Sequence, residues 1–296
     1  MKTFYCFILA SLGSALSIAL ADDSVRIQKN IPYLGSDRQE KGDLYLPVKV
    51  APGKRCPAVV IIHGGGWSGG KKDAAREINI GTNLVLNGYV GFSIDYVLAK
   101  TGSPTWPQNL HDCKTAVRWL RKNAERLHID PDHIGAIGGS AGGHLATMLA
   151  VAGPEAGLDP KGPYGEYSCQ IQAAVDLYGP ADLASWPERA SLSMMPATRS
   201  ERPDLYKQAS PATHADKNDP PILILHGTND ITVPVEQSVK LAEALKKAGV
   251  VTEFVIVEGA PHSFHLQPKE RDLRPLVIGF FDKYLKPTTG QTKARP

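Results

Sequence analysis

Four short segments carry residue types that could do nucleophilic chemistry together. Gly138-Gly139-Ser140-Ala141-Gly142 places a serine among very small residues. A serine on a sharp strand-to-helix turn sits in a strained backbone conformation, so its neighbours must be small enough to let strand and helix approach. The turn also aims the hydroxyl at a helix N-terminus, whose unpaired N–H groups favour developing negative charge. A phosphate-binding loop is the competing reading of such a glycine run, but no Gly-Lys-Ser follows.

A serine hydroxyl is a weak nucleophile until a base takes its proton, and that base needs an orienting carboxylate. Two downstream segments supply them: His226-Gly227-Thr228-Asn229-Asp230 and Glu258-Gly259-Ala260-Pro261-His262. Each follows an apolar, β-rich run, so Asp230 and His262 are expected at C-terminal strand ends. The chain order Ser, Asp, His is that of a serine hydrolase built on an α/β sheet. Asp219 is the alternative acid and His265 the alternative base. Asp219 lies before its strand, and His265 lies three residues beyond the turn. His226 reads as structural.

The fourth segment, His63-Gly64-Gly65-Gly66-Trp67, follows the run Ala58 to Ile62. Acyl transfer builds an oxyanion, and donors placed in advance stabilise it. Gly65 and Gly66 are the expected donors, with the N–H of Ala141 as the third. His63 precedes the nucleophile, and bracing the loop is its expected role. Asp95 and Asp112 suit pairing or capping better than catalysis. His262 and His265 lack a third metal ligand, so no metal site and no cofactor are expected.

These segments need a scaffold. Runs at Ala58 to Ile62, Tyr89 to Ile94, Ile134 to Ile137, Ala173 to Leu177, Ile222 to Leu225 and Phe254 to Val257 read as strands. Helices are expected at Leu110 to Leu127, Ala141 to Val151, Val235 to Ala248 and Leu276 to Leu285, the third flanked by Pro234 and Gly249. Alternating strands and helices imply an α/β fold, a mostly parallel sheet covered on both faces. Ser24 to Ile31 and Leu44 to Leu46 suit antiparallel edge strands. Residues 180–219, with Trp186, Met194, Met195 and several prolines but no clear strand, read as a small cap insertion. A single domain over residues 22–286 is expected, followed by a disordered tail at 287–296.

Residues 1–21 have the pattern of a secretory signal: Lys2, the apolar run Phe4 to Ala19, then Ala19-Leu20-Ala21 before Asp22-Asp23. The run is short for a membrane span, so a secreted or periplasmic protein without a stable anchor is expected. Without Lys2 the chain keeps 32 basic against 30 acidic side chains, scattered without the runs that mark a nucleic-acid partner. Cys56, Cys113 and Cys169 remain, so at least one thiol is free; no spacing fixes a pairing, and buried thiols are the expectation.

Taken together, His63 to Trp67, the run Gly-Gly-Ser-Ala-Gly-Gly-His-Leu-Ala around Ser140, and His-Gly-Thr-Asn-Asp ending at Asp230 resemble the esterase/lipase family of the α/β-hydrolase fold. Ala116-Val117-Arg118-Trp119-Leu120-Arg121, leading into Ile129-Asp130-Pro131, is similar to the bacterial feruloyl-esterase and acetyl-xylan-esterase-like branch, related to hormone-sensitive lipases. That resemblance, from about Ile31 to Lys286, implies a carboxylic-ester hydrolase whose partner is a small ester or an esterified polysaccharide. Hormone-sensitive lipases usually carry an acidic residue where this chain has Gly139, and an N-terminal helical cap where this chain goes straight into strands. Both departures favour short acyl or feruloyl groups over long-chain lipid. Trp67, Trp106 and Trp186 would suit such substrates, although packing explains each one singly as well. A serine peptidase or a lipase on this fold, and a non-catalytic binding protein, are the remaining alternatives.

Overall fold

The computed structural model describes residues 24–286. The expected signal at 1–21 and tail at 287–296 lie outside them. Eight strands form one sheet in the order β1-β2-β4-β3-β5-β6-β7-β8. These are β1 (Val25–Ile31), β2 (Gly42–Pro47), β3 (Cys56–Ile62), β4 (Val90–Ile94), β5 (Ile129–Gly139), β6 (Ala173–Leu177), β7 (Ile222–Asn229) and β8 (Thr252–Pro261). β1 runs antiparallel to β2 and β2 to β4, while all pairs from β4 to β8 are parallel. The mostly parallel α/β-hydrolase sheet expected from the sequence is therefore present. β2 is an inner strand, with only β1 at that edge.

The buried strands explain the run-like composition. In β3 every residue is buried. Ala58, Val60 and Ile62 join one apolar core while Val59 and Ile61 join the other, as the two-residue period of a strand requires. The first core is closed by α2 (Gln108–Lys122), α3 (Ala141–Val151) and α5 (Glu236–Ala248), through residues such as Leu120, Leu145 and Leu241. The second is closed by α1 (Ala75–Leu86) and α6 (Arg274–Leu285), through Ile80, Leu84, Val277 and Phe281.

α1 has no counterpart among the expected helices. Its sequence, with Asn79, Gly81, Thr82 and Asn83, has poor helix propensity, and Ala74 at its N-cap makes no side-chain cap bond. Packing decides instead: Glu77, Ile80 and Leu84 share one buried face. A Cβ at Gly81 would fall 2.8 Å from the ring of Tyr45. α2 ends at Lys122, earlier than its apolar stripe suggests, because Ala124 and Leu127 bury themselves in turns.

Between β6 and β7, among the described residues, residues 180–219 hold α4 (Pro203–Gln208) and two short 3-10 turns but no strand. Backbone bonds tie this stretch to the body: the Thr105 and Trp106 N–H groups both donate to the Met194 carbonyl at 2.9 Å. Within it, Arg199 Nη1 donates to the carbonyls of Ala184 and Trp186, each at 2.9 Å.

Candidate active site

Ser140 sits between β5 and α3 with φ 57° and ψ −123°, a left-handed backbone conformation that side-chain-bearing residues rarely adopt. The surrounding glycines make this turn possible. A Cβ at Gly138 would overlap the Gly142 carbonyl, and one at Gly142 would overlap the carbonyl oxygen of Ile62 and lie 2.6 Å from that of His63. β3, β5 and α3 thus converge on the turn with no room for a methyl group.

The turn brings the three residues of the expected triad into one hydrogen-bonded line. Ser140 Oγ lies 2.9 Å from His262 Nε2, and His262 Nδ1 lies 2.6 Å from Asp230 Oδ2. Nδ1–H donating to the carboxylate leaves Nε2 free to accept the serine proton, the protonation state that a general base needs. The Asp230 side chain is fully buried. Burial works against its charge, but hydrogen bonds from His226, His262 and the Val233 N–H hold the carboxyl well below the usual carboxylate range. Its other oxygen, Oδ1, accepts the N–H groups of Thr232 (2.9 Å) and Val233 (2.8 Å).

The alternatives fall elsewhere. His265 is exposed, two residues beyond the positive-φ turn at Ser263. Asp219 precedes β7 and lines a different cavity. Asp112 is a buried structural carboxylate, paired by Arg38 Nη1 (3.0 Å) and Nη2 (2.7 Å). Asp95 accepts the Lys72 N–H at 2.8 Å. His63 stacks on Tyr96 at 4.4 Å and its Nδ1–H donates to the Gly64 carbonyl at 2.7 Å, while Tyr96 O–H donates to the His63 carbonyl at 3.0 Å. It is thereby built into the glycine loop as a brace, at the border of the cleft that Ser140 and His262 also line.

Gly64, Gly65, Gly66, Ser140 and Ala141 line a cleft of about 540 Å³. Gly65 and Gly66 have φ of 114° and 58°, so a side chain at either would be strained. Ala141 is the first residue of α3, where helix geometry leaves its N–H without an intrahelical acceptor. Trp67, Trp186, Ala190, Pro180 and Val233 line the same cleft. Trp67 is buried at 1% exposure, donates Nε1–H to His144 Nδ1 at 3.2 Å and meets Trp186 edge-on at 6.4 Å. Trp106 lies outside the cleft lining and donates to Gln208. Trp106 is thus a packing residue, while Trp67 and Trp186 both pack and line the cleft.

A larger cavity, about 1070 Å³, borders the starts of β6 and β7 and contains none of Ser140, Asp230 or His262. The smaller cleft holds the reactive groups. Among the described residues no cluster of side chains suits a metal ion, no helix is long and apolar enough to cross a membrane, and Cys56, Cys113 and Cys169 are buried free thiols.

Two residues at the site, one lining the cleft and one buried behind His262, were not singled out by their sequence context. Arg76, on the unforeseen α1, lines the cleft beside Gly64. Tyr178, one residue past β6, packs edge-on against His262 at 4.9 Å. The signal for Tyr178 was available: it ends a parallel strand on the side where such sheets place their sites. Nothing in the sequence around Arg76 marks it.

Comparison with known proteins identifies the family. Residues 43–245 match the BD-FAE family. The chain is 34% identical to esterase LipQ of Mycobacterium tuberculosis over 80% of its own length and 57% of the relative's, so it spans little more than half of that protein. Among solved structures, it resembles a truncated carbohydrate esterase from gut microbiota at 28% identity, with TM-score 0.76 and coverage of 89% of this chain and 98% of that one. It also resembles Thermogutta terrifontis esterase 2 phosphorylated by paraoxon, at 29% identity and TM-score 0.72, covering 90% of this chain and 97% of that one. The chain belongs to the BD-FAE family of α/β-hydrolase-fold esterases, related to the bacterial Lip-type esterases.

Proposed function

We propose that this protein is an exported serine carboxylic-ester hydrolase that removes short acyl or aryl-acyl groups, such as acetyl and feruloyl, from plant-type polysaccharides. The observation that carries the reading is the Ser140–His262–Asp230 line, at 2.9 and 2.6 Å, opening on a cleft edged by Gly65, Gly66 and Ala141. His262 takes the Ser140 proton as Oγ attacks the ester carbonyl. The N–H groups of Gly65, Gly66 and Ala141 hold the oxyanion, while Asp230 keeps the imidazole in the required tautomer and stabilises its cation. The tetrahedral adduct collapses to an acyl-serine as His262 returns the proton to the leaving alcohol. A water deprotonated by His262 then attacks the acyl carbon. The second adduct expels Ser140, reprotonated by His262, and the acid leaves.

The small-ester preference is supported by the volume and walls of the cleft, where Trp186, Pro180 and Val233 give an apolar face for an acyl or aryl group. The polysaccharide assignment is supported by the carbohydrate esterase among the similar structures. Export is supported by the signal-like residues 1–21. Initial rates on p-nitrophenyl esters from acetate to palmitate, together with methyl ferulate, acetylated xylan and an amide analogue, test the reading. Turnover of short esters with release of acetate or ferulate is expected. A maximum at long chains would make it a lipase, and faster amide than ester turnover would make it a peptidase.

A further inference from the structure

The guanidinium of Arg76 is the one cation among the lining side chains that touches three functional loops. It belongs to the second residue of α1 and is only 11% exposed. Its Nη1 donates to the hydroxyl of Tyr178 at 2.9 Å, and that hydroxyl donates in turn to the Phe264 carbonyl at 2.7 Å, two residues past His262. Its Nε and Nη2 donate to Glu77 Oε1 at 2.9 and 2.6 Å, so the charge is balanced within its own helix. Against the nucleophile turn, a Cβ on Gly139 would lie 2.5 Å from Arg76 Nη1 and 2.9 Å from the Tyr178 hydroxyl. Against the oxyanion loop, a Cβ on Gly64 would lie 3.3 Å from Arg76 Nη2 and 3.3 Å from Ser140 Cβ. The space that a side chain before the nucleophile would need is therefore filled by a cation arriving from another element.

Tyr178 completes the link to the base. Its ring packs edge-on against His262 (4.9 Å) and Phe264 (4.5 Å), and its own backbone is held at φ 47° by an N–H bond to the Leu225 carbonyl at 2.8 Å. A non-glycine residue in that conformation persists only where its surroundings over-determine it. Here they do so with a ring on the imidazole and a hydroxyl shared between Arg76 and the His262 loop. Burial keeps that hydroxyl protonated against the opposing pull of Arg76, its pKa pushed up to about 12. The hydroxyl thus stays a donor to Phe264 across the working range.

We infer that Arg76 and Tyr178 are positioning residues, a clamp that fixes His262 over Ser140 and locks the His262 loop, the nucleophile turn and the oxyanion loop to one another. Neither group takes part in bond making. Their effect falls on the transition state, because the Ser140–His262 alignment matters most while the proton moves, and a misplacement of about 1 Å costs on the order of a hundredfold. The inference rests on the ester-hydrolase reading above.

Two variants test it, each with its thermal midpoint measured alongside. Tyr178→Phe keeps the ring against His262 but deletes the hydroxyl that joins Arg76 to Phe264. Arg76→Gln removes the cation and most of its donors. Three readouts apply: kcat and KM on p-nitrophenyl acetate, the second-order rate of fluorophosphonate labelling, and the downfield proton resonance of the His262–Asp230 hydrogen bond. A misaligned base is expected to lower kcat and the labelling rate together by about ten- to a hundredfold, with KM within about twofold. The proton resonance should broaden or vanish at a temperature where the variant stays folded. Changes of less than about twofold in kcat and labelling for both variants would overturn the inference. So would a loss that merely tracks the unfolded fraction, or one confined to KM. Wild-type protein that neither turns over esters nor takes up the label would instead defeat the underlying function.

Discussion

Asp230 Oδ2 lies 3.2 Å from Nε2 of His226, so the carboxylate that binds His262 faces a second imidazole. The tautomer of His226 follows from its partners. Nε2–H donates to the Val233 carbonyl at 2.8 Å and leans on Asp230, while Nδ1 accepts the Ser238 hydroxyl at 2.7 Å. His226 is therefore a buried brace that holds the acid from behind. Replacing it by leucine leaves Ser238 Oγ and the Val233 carbonyl without that partner, at a cost of about 1–3 kcal/mol of stability. His226→Leu should also lower kcat about tenfold by loosening the acid, with little change in KM. Urea unfolding and steady-state kinetics on p-nitrophenyl acetate check both parts.

Gly142 is the tightest point of the nucleophile turn, where a methyl group would meet the backbone carbonyls of Ile62 and His63. Neither can yield without moving β3 or the oxyanion loop. Gly142→Ala should therefore destabilise the fold by about 1–3 kcal/mol and displace the donors around Ser140. A drop of several degrees in the thermal midpoint, accompanied by loss of turnover in the remaining folded protein, is the expected result. An active variant of unchanged midpoint would contradict the packing described for this turn.

His144 makes a pH-dependent contribution to stability. It is fully buried between the oxyanion loop and the 180–219 segment, its Nδ1 accepting from Trp67 and its Nε2–H donating to the Ala209 carbonyl at 2.7 Å. Burial pushes its pKa down from 6.5 to about 4, only partly offset by the Ala209 carbonyl. The unfolded chain therefore binds this proton more readily than the folded one. The contribution is complete above about pH 6.5 and is lost as pH falls through about 4, amounting to about 3 kcal/mol. Thermal midpoints of the wild type between pH 7 and pH 4 should fall more steeply than those of His144→Gln. Parallel curves would show that His144 is not the group responsible.

Trp186 is the aromatic side chain of the 180–219 segment that lines the cleft. Packing of an aromatic acyl group against it contributes about 0.5–1.5 kcal/mol beyond simple burial. Trp186→Ala should raise KM for methyl ferulate by up to about tenfold while changing that for p-nitrophenyl acetate much less. Equal changes for the two esters would mean that Trp186 supports the 180–219 segment without touching the acyl group.

The residues of the Ser140–His262–Asp230 line were legible in the sequence because each sits directly after an apolar strand, in a segment whose small residues only a sharp turn requires. The parallel core was legible for a related reason: strands such as Ala58 to Ile62, buried on both faces, read as uninterrupted apolar runs. What escaped was decided by packing between distant elements. α1 carries too many asparagines and β-branched residues to announce itself, yet its Glu77–Ile80–Leu84 face closes the second core and delivers Arg76 to the cleft. Likewise, no local pattern says that Tyr178 would turn its ring to a histidine 84 positions away, or that His226 would brace the acid.

The most direct test of the account is the mass of the protein after reaction with a fluorophosphonate, measured alongside residual activity on p-nitrophenyl acetate. One phosphonyl group should be added per chain, on the peptide that contains Ser140, and activity should fall in proportion to labelling. Ser140→Ala should take up no label and retain no more than residual turnover. Ester hydrolysis that persists at near wild-type rates in Ser140→Ala, or full inactivation with the label on another residue, would contradict it.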